Sequence, residues 1–261
     1  MSVPTVPRPA ATILLLRDAP AFEVLMVKRH HEIDFAAGAL VFPGGKSHAG
    51  DEDPAWAEHT LGWDDFDAIQ RALRIAAIRE AFEEAGILLA RRRDGSPLGG
   101  EASPMETRLG VDAGTMQFLE VVRDLDVRLE LGALTIFARW ITPPVMARRF
   151  DTWFYAAIAP DDQLAASDGH ETVDAEWLAP AEVLRLEAAG KRKMIFPTRM
   201  NVRLLAQSRD ASDAVSRAMA RPQQPVHAQI ETRPWGRVLV LPPEAGYGVV
   251  EEPFETGERT A

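Results

Sequence analysis

The alternation of apolar and polar positions is clearest in residues 72–89, which read ALRIAAIREAFEEAGILL. At about 100° per residue on an α-helix, one side of this stretch is apolar and carries Ile75, Ile78, Phe82, Ala85 and Leu89. Three carboxylates gather on the other side, and they are Glu80, Glu83 and Glu84. The pattern predicts a helix with one face in the core and an acidic cluster on the opposite face.

The rest of the chain alternates between short apolar strands and amphipathic segments. Runs rich in Val, Ile, Leu and aromatic residues, bounded by turn residues, predict strands at 11–16, 22–28, 38–42, 134–141, 152–159 and 173–178, with a weaker pair at 229–231 and 237–241. Helical periodicity or an initial proline predicts helices at 113–130, 180–189, 197–208 and 211–220. Strands and helices in this mixture indicate an α+β fold.

The segment before the acidic helix is unusual in composition. It mixes acidic residues with Trp56, Trp63 and Phe66, so we expect short helices that pack beside the acidic face. Asp64 or Asp65 is the predicted N-cap of the following helix, and the basic residues 91–93 are predicted to lie at its C-terminus, where cations are favoured.

Composition limits the classes of function. The chain has 261 residues, 46% of them apolar, with a formal net charge of −10 and no cysteine, which is typical of one large globular domain. We expect a loose Pro-rich lead-in at 1–10 and a single domain at 11–261, with no affinity for nucleic acid or anionic membranes. The ends of the chain show neither a signal-peptide order nor an S-K-L-type address, which predicts a cytoplasmic protein.

The acidic cluster requires a compensating cation. Like charges at three- and four-residue spacing destabilise a helix by a few tenths of a kcal/mol per pair, and Arg79, four residues before Glu83, supplies one positive charge. A hard divalent cation such as Mg²⁺ is bound through carboxylate oxygens. The alternative is that these glutamates form an ordinary solvated helix face.

These residues carry a resemblance to a known family. Residues 79–87, REAFEEAGI, resemble the second half of the Nudix box, R-E-U-x-E-E-x-G-U with U apolar, and Gly45 followed after five residues by Asp51 resembles its first half, with Asp for Glu. The usual box has seven residues between the halves, whereas this chain has twenty-seven, from Glu52 to Ile78. A box interrupted in this way is similar to the Nudix branch that includes peroxisomal coenzyme A diphosphatases.

The resemblance implies a fold and a site. The fold would be a Nudix-type α/β/α sandwich around a mixed sheet, with extra helices from an insertion at about 52–71 and a C-terminal extension at about 195–221. Mg²⁺ or Mn²⁺ would be bound by Glu83, Glu84, the Gly45 carbonyl and Glu80, which is a ligand or a base. Arg79 would pair with Glu83 and fix its orientation, and Asp51 would be a supporting group or a helix cap. The second acid would be Glu171, with Asp168 and His170 as rivals.

The resemblance also implies a substrate class, a nucleoside diphosphate linked to another group. Arg148 and Arg149 are candidates for contacts with its diphosphate. Arg29, Gly38 and Phe42 to Gly45 agree with a coenzyme A signature, which makes Arg29 and Phe42 candidate substrate contacts, whereas His30 and Asp34 depart from it. Coenzyme A or acyl-CoA is the first expectation. Another dinucleotide such as NADH or ADP-ribose, and a non-catalytic ligand sensor, stay open, as does a homodimer.

Overall fold

A mixed β-sheet forms the centre of the computed structural model, which describes residues 5–30, 38–100, 104–146, 148–170 and 172–254. The strands in these ranges are β1 Arg8–Arg17, β2 Glu23–Arg29, β3 Leu40–Val41, β4 Gly44–Lys46, β5 Thr60–Leu61, β6 Ala90–Arg92, β7 Val127–Glu130, β8 Thr135–Ile141, β9 Phe150–Ile158, β10 Thr172–Leu178, β11 Pro225–His227, β12 Gln229–Arg233, β13 Gly236–Val240 and β14 Glu251–Pro253. The central sheet has the order β10-β2-β1-β9-β8-β11, with β3 beside β2 and β4 beside β1. The β1–β9 and β8–β11 pairs are parallel.

Helices cover both faces of this sheet. They are α1 Ala68–Ala85, α2 Met105–Asp112, α3 Phe118–Asp124, α4 Pro180–Ala188, α5 Phe196–Leu205 and α6 Ala211–Ala220. No helix in the described ranges is both long enough and apolar enough to cross a membrane.

Strand β1 separates two hydrophobic cores because its side chains alternate between the faces of the sheet. Ile13 and Leu15 belong to the core that contains the apolar residues of α1 and α3. Leu14 and Leu16 belong to the core on the other side, which contains residues of α5 and α6. The predicted α/β/α sandwich with a mixed sheet is confirmed.

Helix α1 is shorter at both ends than the sequence pattern predicts. Its N-cap is Asp67, whose side chain accepts a hydrogen bond from the Gln70 N–H at 2.8 Å, so Asp64 and Asp65 are not the cap. It ends at Ala85 because Gly86 has a φ of 72°, the left-handed conformation in which glycine commonly closes a helix.

Two further predictions are wrong. The basic residues 91–93 do not end a helix, because β6 includes Arg91 and Arg92 and pairs with β7. The range 113–130, which was predicted as one helix, contains α3 and β7 instead. Helix α2 ends at Asp112, just before this range. Gly114 and Asp126 both have positive φ, a conformation that an α-helix does not contain, so the apolar spacing in this region belongs to two different elements.

The segment between the two halves of the box folds into short pieces against the core. It contains 3₁₀ helices at Ala49–Glu52, Pro54–Glu58 and Trp63–Asp65, and strand β5. Trp56 is buried, and its ring centroid lies 5.6 Å from that of Phe118. Its Nε1 donates a hydrogen bond to the Gly50 carbonyl at 2.9 Å. The aromatic residues of this insertion therefore build the core on the α1 side.

The two chain ends also differ in detail from the sequence prediction. Strand β1 begins at Arg8, inside the predicted lead-in at 1–10. The predicted C-terminal helices correspond to α5 and α6, and after them β12, β13 and β14 form a separate three-stranded sheet. The predicted division into lead-in, single domain, insertion and extension stays a prediction.

Candidate active site

The two consecutive glycines of β4 lie between β1 and the acidic end of α1. A Cβ at Gly44 would lie 2.7 Å from the Ala11 carbonyl oxygen, and one at Gly45 would lie 2.7 Å from Cδ of Glu80. The Gly44 N–H donates to Glu84 Oε2 at 3.1 Å. Gly44 requires glycine because the backbone of β1 occupies the space of a side chain, whereas a side chain at Gly45 would displace the Glu80 carboxylate.

Arg79 connects the glutamates of α1 with one another. Its Nη1 donates to Glu80 Oε1 at 2.9 Å and to both carboxylate oxygens of Glu83 at 3.1 and 3.0 Å. Its Nη2 donates to the Lys46 carbonyl at 2.8 Å. The predicted contact between Arg79 and Glu83 is present, and Glu80 shares the same guanidinium group.

Asp51 joins this cluster from the other side of the insertion. The Nε and Nη2 of Arg79 donate to its two oxygens at 3.0 and 3.2 Å. Asp51 Oδ2 also accepts a hydrogen bond from the His48 N–H at 2.7 Å. Of the two expected roles, the supporting contact with Arg79 is present, whereas the N-cap of the 3₁₀ helix Ala49–Glu52 is His48 and Asp51 bonds back to it from inside the helix.

These side chains are removed from solvent. Glu80, Glu83, Glu84 and Arg79 are each less than a tenth exposed, so the alternative of a solvated helix face is wrong. Burial and the adjacent Glu80 carboxylate raise the pKa of Glu83 to about 8, against an opposing effect of Arg79. Burial by itself would lower the pKa of Arg79, but the carboxylates of Glu80 and Asp51 raise it above its usual value.

The composition of the cluster fits a hard divalent cation. Among the residues that the structure describes, four buried carboxyl groups lie beside two guanidinium groups, that of Arg79 and that of Arg29, whose Nη1 lies 3.9 Å from Glu84 Oε1. A buried excess of negative charge is unfavourable unless it is balanced, and carboxylate oxygens are the ligands that Mg²⁺ uses. Within the described ranges, no three acidic or histidine side chains converge on one metal position, because Glu80 and Glu83 are turned towards Arg79.

The chain before β10 approaches the same end of α1. Asp168 accepts hydrogen bonds from the Thr172 N–H at 3.0 Å and from its hydroxyl at 3.1 Å, and the Thr172 hydroxyl is 3.3 Å from the Glu84 carbonyl oxygen. His170 Nδ1 lies 3.6 Å from the carboxylate of Asp112. Glu171, the predicted second acid, lies outside the described residues, and its role stays a prediction.

The candidate substrate contacts occupy different environments. Arg29 ends β2 beside Glu84. Arg149 donates to the carbonyls of Thr142 and Thr5 at 3.0 and 2.6 Å, so it ties the start of the described chain to the end of β8, and the adjacent Arg148 is exposed. The Phe42 ring is buried at 6.5 Å from the Phe154 ring, which leaves its predicted substrate contact without support from its position.

Sequence reasoning did not identify Arg108 and Asp112 of α2. Arg108 is buried against the C-terminal end of α1, and Asp112 is one of the carboxylates that raise the pKa of Glu83. Neither residue belongs to a motif, and both lie outside the predicted helices, so no local signal pointed to them.

Comparisons to known proteins identify a family for this chain. The family model described as NUDT19 Nudix domain matches residues 62–203. The chain is 29% identical over 237 residues to the acyl-coenzyme A diphosphatase NUDT19 of Homo sapiens, covering 75% of this chain and 63% of that protein. It is 26% identical over 205 residues to the protein of the same name from Xenopus laevis, covering 62% of this chain and 54% of the relative. The matches thus span between about half and two thirds of these relatives.

A solved structure supports the same grouping. The crystal structure of a Nudix hydrolase from Alicyclobacillus acidocaldarius superposes with a TM-score of 0.66 at 26% identity. The superposition covers 81% of this chain and 96% of that one. The similarity therefore extends over most of this chain.

Proposed function

This chain belongs to the Nudix family described by the NUDT19 Nudix domain, and from that membership we propose that it is a metal-dependent diphosphatase acting on coenzyme A or an acyl-CoA. The observation that carries the proposal is the close contact between Gly44 and Gly45 of β4 and the glutamates of α1. The name of the human relative, an acyl-coenzyme A diphosphatase, supports the substrate.

We assign the metal ligands to Glu83, Glu84, Glu80 and the Gly45 carbonyl. The metal, Mg²⁺ or Mn²⁺, would supply charge stabilisation of the diphosphate and a bound water of lowered pKa. The proposal takes support from the excess of buried carboxylates over guanidinium groups around Arg79. Arg79 is assigned to orienting Glu83 and Glu80 by donating to both carboxylates.

The base that accepts a proton from the attacking water is assigned to Glu171, with Glu80 as the alternative. Support for Glu171 comes from its neighbour Thr172, whose hydroxyl contacts the Glu84 carbonyl. Support for Glu80 comes from its close approach to Gly45. Replacing each by Gln separately tests the assignment, because loss of the base lowers kcat by about 10²- to 10⁴-fold and changes its pH profile. Since Glu80 is also an assigned metal ligand, the base is the residue whose replacement changes the pH profile with Mn²⁺ affinity retained.

For substrate binding we assign Arg29 to the diphosphate, because it is the arginine that lies beside Glu84. Arg148 is retained as a second candidate because it is exposed. Arg149 and Phe42 are weaker candidates, since the first is bonded to two backbone carbonyls and the second is buried. A cytoplasmic location belongs to the same proposal and is supported by the absence of cysteine, and a homodimer stays open.

The test is a substrate panel with purified protein in Mg²⁺ or Mn²⁺. Coenzyme A, an acyl-CoA, NADH and ADP-ribose are incubated separately, and phosphorylated products are identified by mass spectrometry. We expect two products from coenzyme A or acyl-CoA, with lower turnover of the other dinucleotides. Turnover retained by a Glu83→Gln, Glu84→Gln double variant would contradict the assigned site, and binding without products would indicate a ligand sensor.

A further inference from the structure

Arg108 of α2 places a buried positive charge at the C-terminal end of α1. It is 3% exposed, and its Nε donates to the carbonyls of Phe82 and Glu83 at 3.0 and 3.2 Å. Its Nη2 donates to the Glu83 carbonyl at 2.9 Å. The last carbonyls of a helix have no partner within the helix and carry the negative end of its dipole, so a guanidinium group is well matched to this position.

The same guanidinium group reaches a second segment of the chain. Arg108 Nη2 donates to the Ala166 carbonyl at 2.8 Å, and the Ala166 N–H donates to the Ala85 carbonyl at 3.0 Å. The Gln163 side chain exchanges two hydrogen bonds with the backbone of Leu88, at 2.8 and 3.0 Å. Gln163 and Ala166 therefore attach this segment to the end of α1 and to the residues that follow it, and Arg108 is bonded to both the helix and the segment.

This attachment continues to the turn before β10. The Thr172 hydroxyl contacts the Glu84 carbonyl and is itself held by Asp168. Four consecutive carbonyls of α1, those of residues 82–85, are thus contacted by Arg108, Thr172 and Ala166. Glu83 and Glu84 carry their side chains on this same turn, so the contacts determine where these carboxylates lie relative to the segment that precedes β10.

We propose that Arg108 is a positioning residue for the reaction, which holds the Glu83–Glu84 turn of α1 in register with residues 161–170. It acts through the backbone carbonyls of Phe82, Glu83 and Ala166 and contacts neither substrate nor metal. The inference rests on the proposed function and extends it to a residue outside the Nudix box.

Helix α1 offers a matched control. Arg74 is 4% exposed, and its Nη1 donates to the carbonyls of Leu131 and Leu134. It is therefore a second buried arginine that joins α1 to another segment through backbone carbonyls, but it lies near the other end of the helix. Arg74→Met and Arg108→Met remove the same chemical group, and only the second change is expected to disturb the acidic turn.

The experiment compares wild type, Arg108→Met, Arg108→Lys and Arg74→Met in three measurements. Loss of a group that supports a metal ligand lowers metal affinity or activity by about 10- to 100-fold, so we expect Arg108→Met to lower kcat and Mn²⁺ affinity in that range with little change in KM. Hydrogen exchange in the metal-free protein should be faster in residues 161–170 for Arg108→Met only. Arg108→Lys, which retains the cation, should give intermediate values, and Arg74→Met should lose stability with kcat and Mn²⁺ affinity near wild type.

The inference is overturned by an Arg108→Met protein with wild-type kcat, Mn²⁺ affinity and exchange. It is also overturned by an equal loss in Arg74→Met. If Arg108→Met does not fold, Arg108→Lys decides, and wild-type values in all three measurements reject the proposal. A wild type that binds Mn²⁺ without hydrolysing any substrate contradicts the proposed function, while Mn²⁺ affinity and exchange still judge Arg108. A wild type that neither binds Mn²⁺ nor hydrolyses a substrate contradicts both the proposed function and the proposed role of Arg108.

Discussion

Arg79 donates two hydrogen bonds to the two carboxylate oxygens of Asp51, which lies 28 residues earlier in the chain. The pair joins the two halves of the interrupted box across the insertion. Because the same guanidinium group also holds Glu80 and Glu83, the orientation of the proposed ligands depends on a residue that precedes the insertion.

Asp51→Asn removes the charge that holds Arg79. We expect kcat to fall by about 10- to 100-fold with little change in KM, because the substrate contacts assigned above do not include Asp51. Asp51→Glu, which keeps the charge, should lose less. Asp53→Asn is the control, since exposed Asp53 caps the next 3₁₀ helix and Asn caps equally well. Steady-state kinetics make the comparison, and wild-type kcat in Asp51→Asn would contradict the role of the pair.

Gly45→Ala is expected to displace Glu80. The added Cβ would lie 2.7 Å from Glu80 Cδ, and a misplacement of about 1 Å in a catalytic group can lower activity by about 10²-fold. Gly132→Ala is the matched control, because a Cβ there meets nothing within 4 Å. Activity and thermal unfolding are measured for both, and an active Gly45→Ala protein would show that Glu80 can move without consequence.

Metal binding should release a proton from Glu83. The pKa of Glu83 in the metal-free protein is raised to about 8, so its carboxyl group is largely protonated at pH 7, whereas a metal ligand must be deprotonated. Mn²⁺ affinity is therefore expected to rise with pH up to about 8 and then to level. Calorimetric titrations in buffers of different ionisation enthalpy measure the released proton, and a pH-independent affinity between pH 6 and 8, with no proton released, would count against Glu83 as a ligand.

The stability of the metal-free protein should respond to the same group. Because the pKa of Glu83 is higher in the folded protein than its ordinary value of 4.5, the folded state binds this proton more tightly than the unfolded chain. The stabilisation is complete below that ordinary value and is lost as the pH rises through about 8. The Tm of wild type should fall between about pH 5 and 8 more steeply than that of Glu83→Gln, because above about 8 neither state holds this proton, and parallel curves would contradict the raised pKa.

Trp56→Ala tests whether the insertion is structural. Trp56 is 1% exposed and packs against Phe118, so truncation should lower the free energy of unfolding by about 3–5 kcal/mol. Trp235→Ala is the control, because Trp235 is 73% exposed and such surface changes usually stay within about 0.5 kcal/mol. Urea unfolding measures the free energy of unfolding of both variants. Unchanged stability with an altered substrate preference in Trp56→Ala would instead assign the insertion to specificity.

The sequence by itself determined the parts of the site that lie close together in the chain. Helical spacing brought Glu80, Glu83 and Glu84 to one face, and Arg79 was correctly paired with Glu83, because residues four apart on a helix are neighbours whatever surrounds them. The strand β1 was visible as an apolar run bounded by turn residues, and the family resemblance supplied the sandwich fold.

Only the tertiary structure decided how distant segments meet. It decided the burial of the glutamates, the Asp51–Arg79 pair and the contacts of Arg108 with Phe82, Glu83 and Ala166. Each of these depends on residues that are far apart in sequence, where periodicity carries no information. The same limit explains the wrong helix at 113–130, since its apolar residues pack against α1 from a helix and from a strand. Local spacing specifies which face of an element is apolar, whereas its partners depend on how the whole chain packs around the sheet.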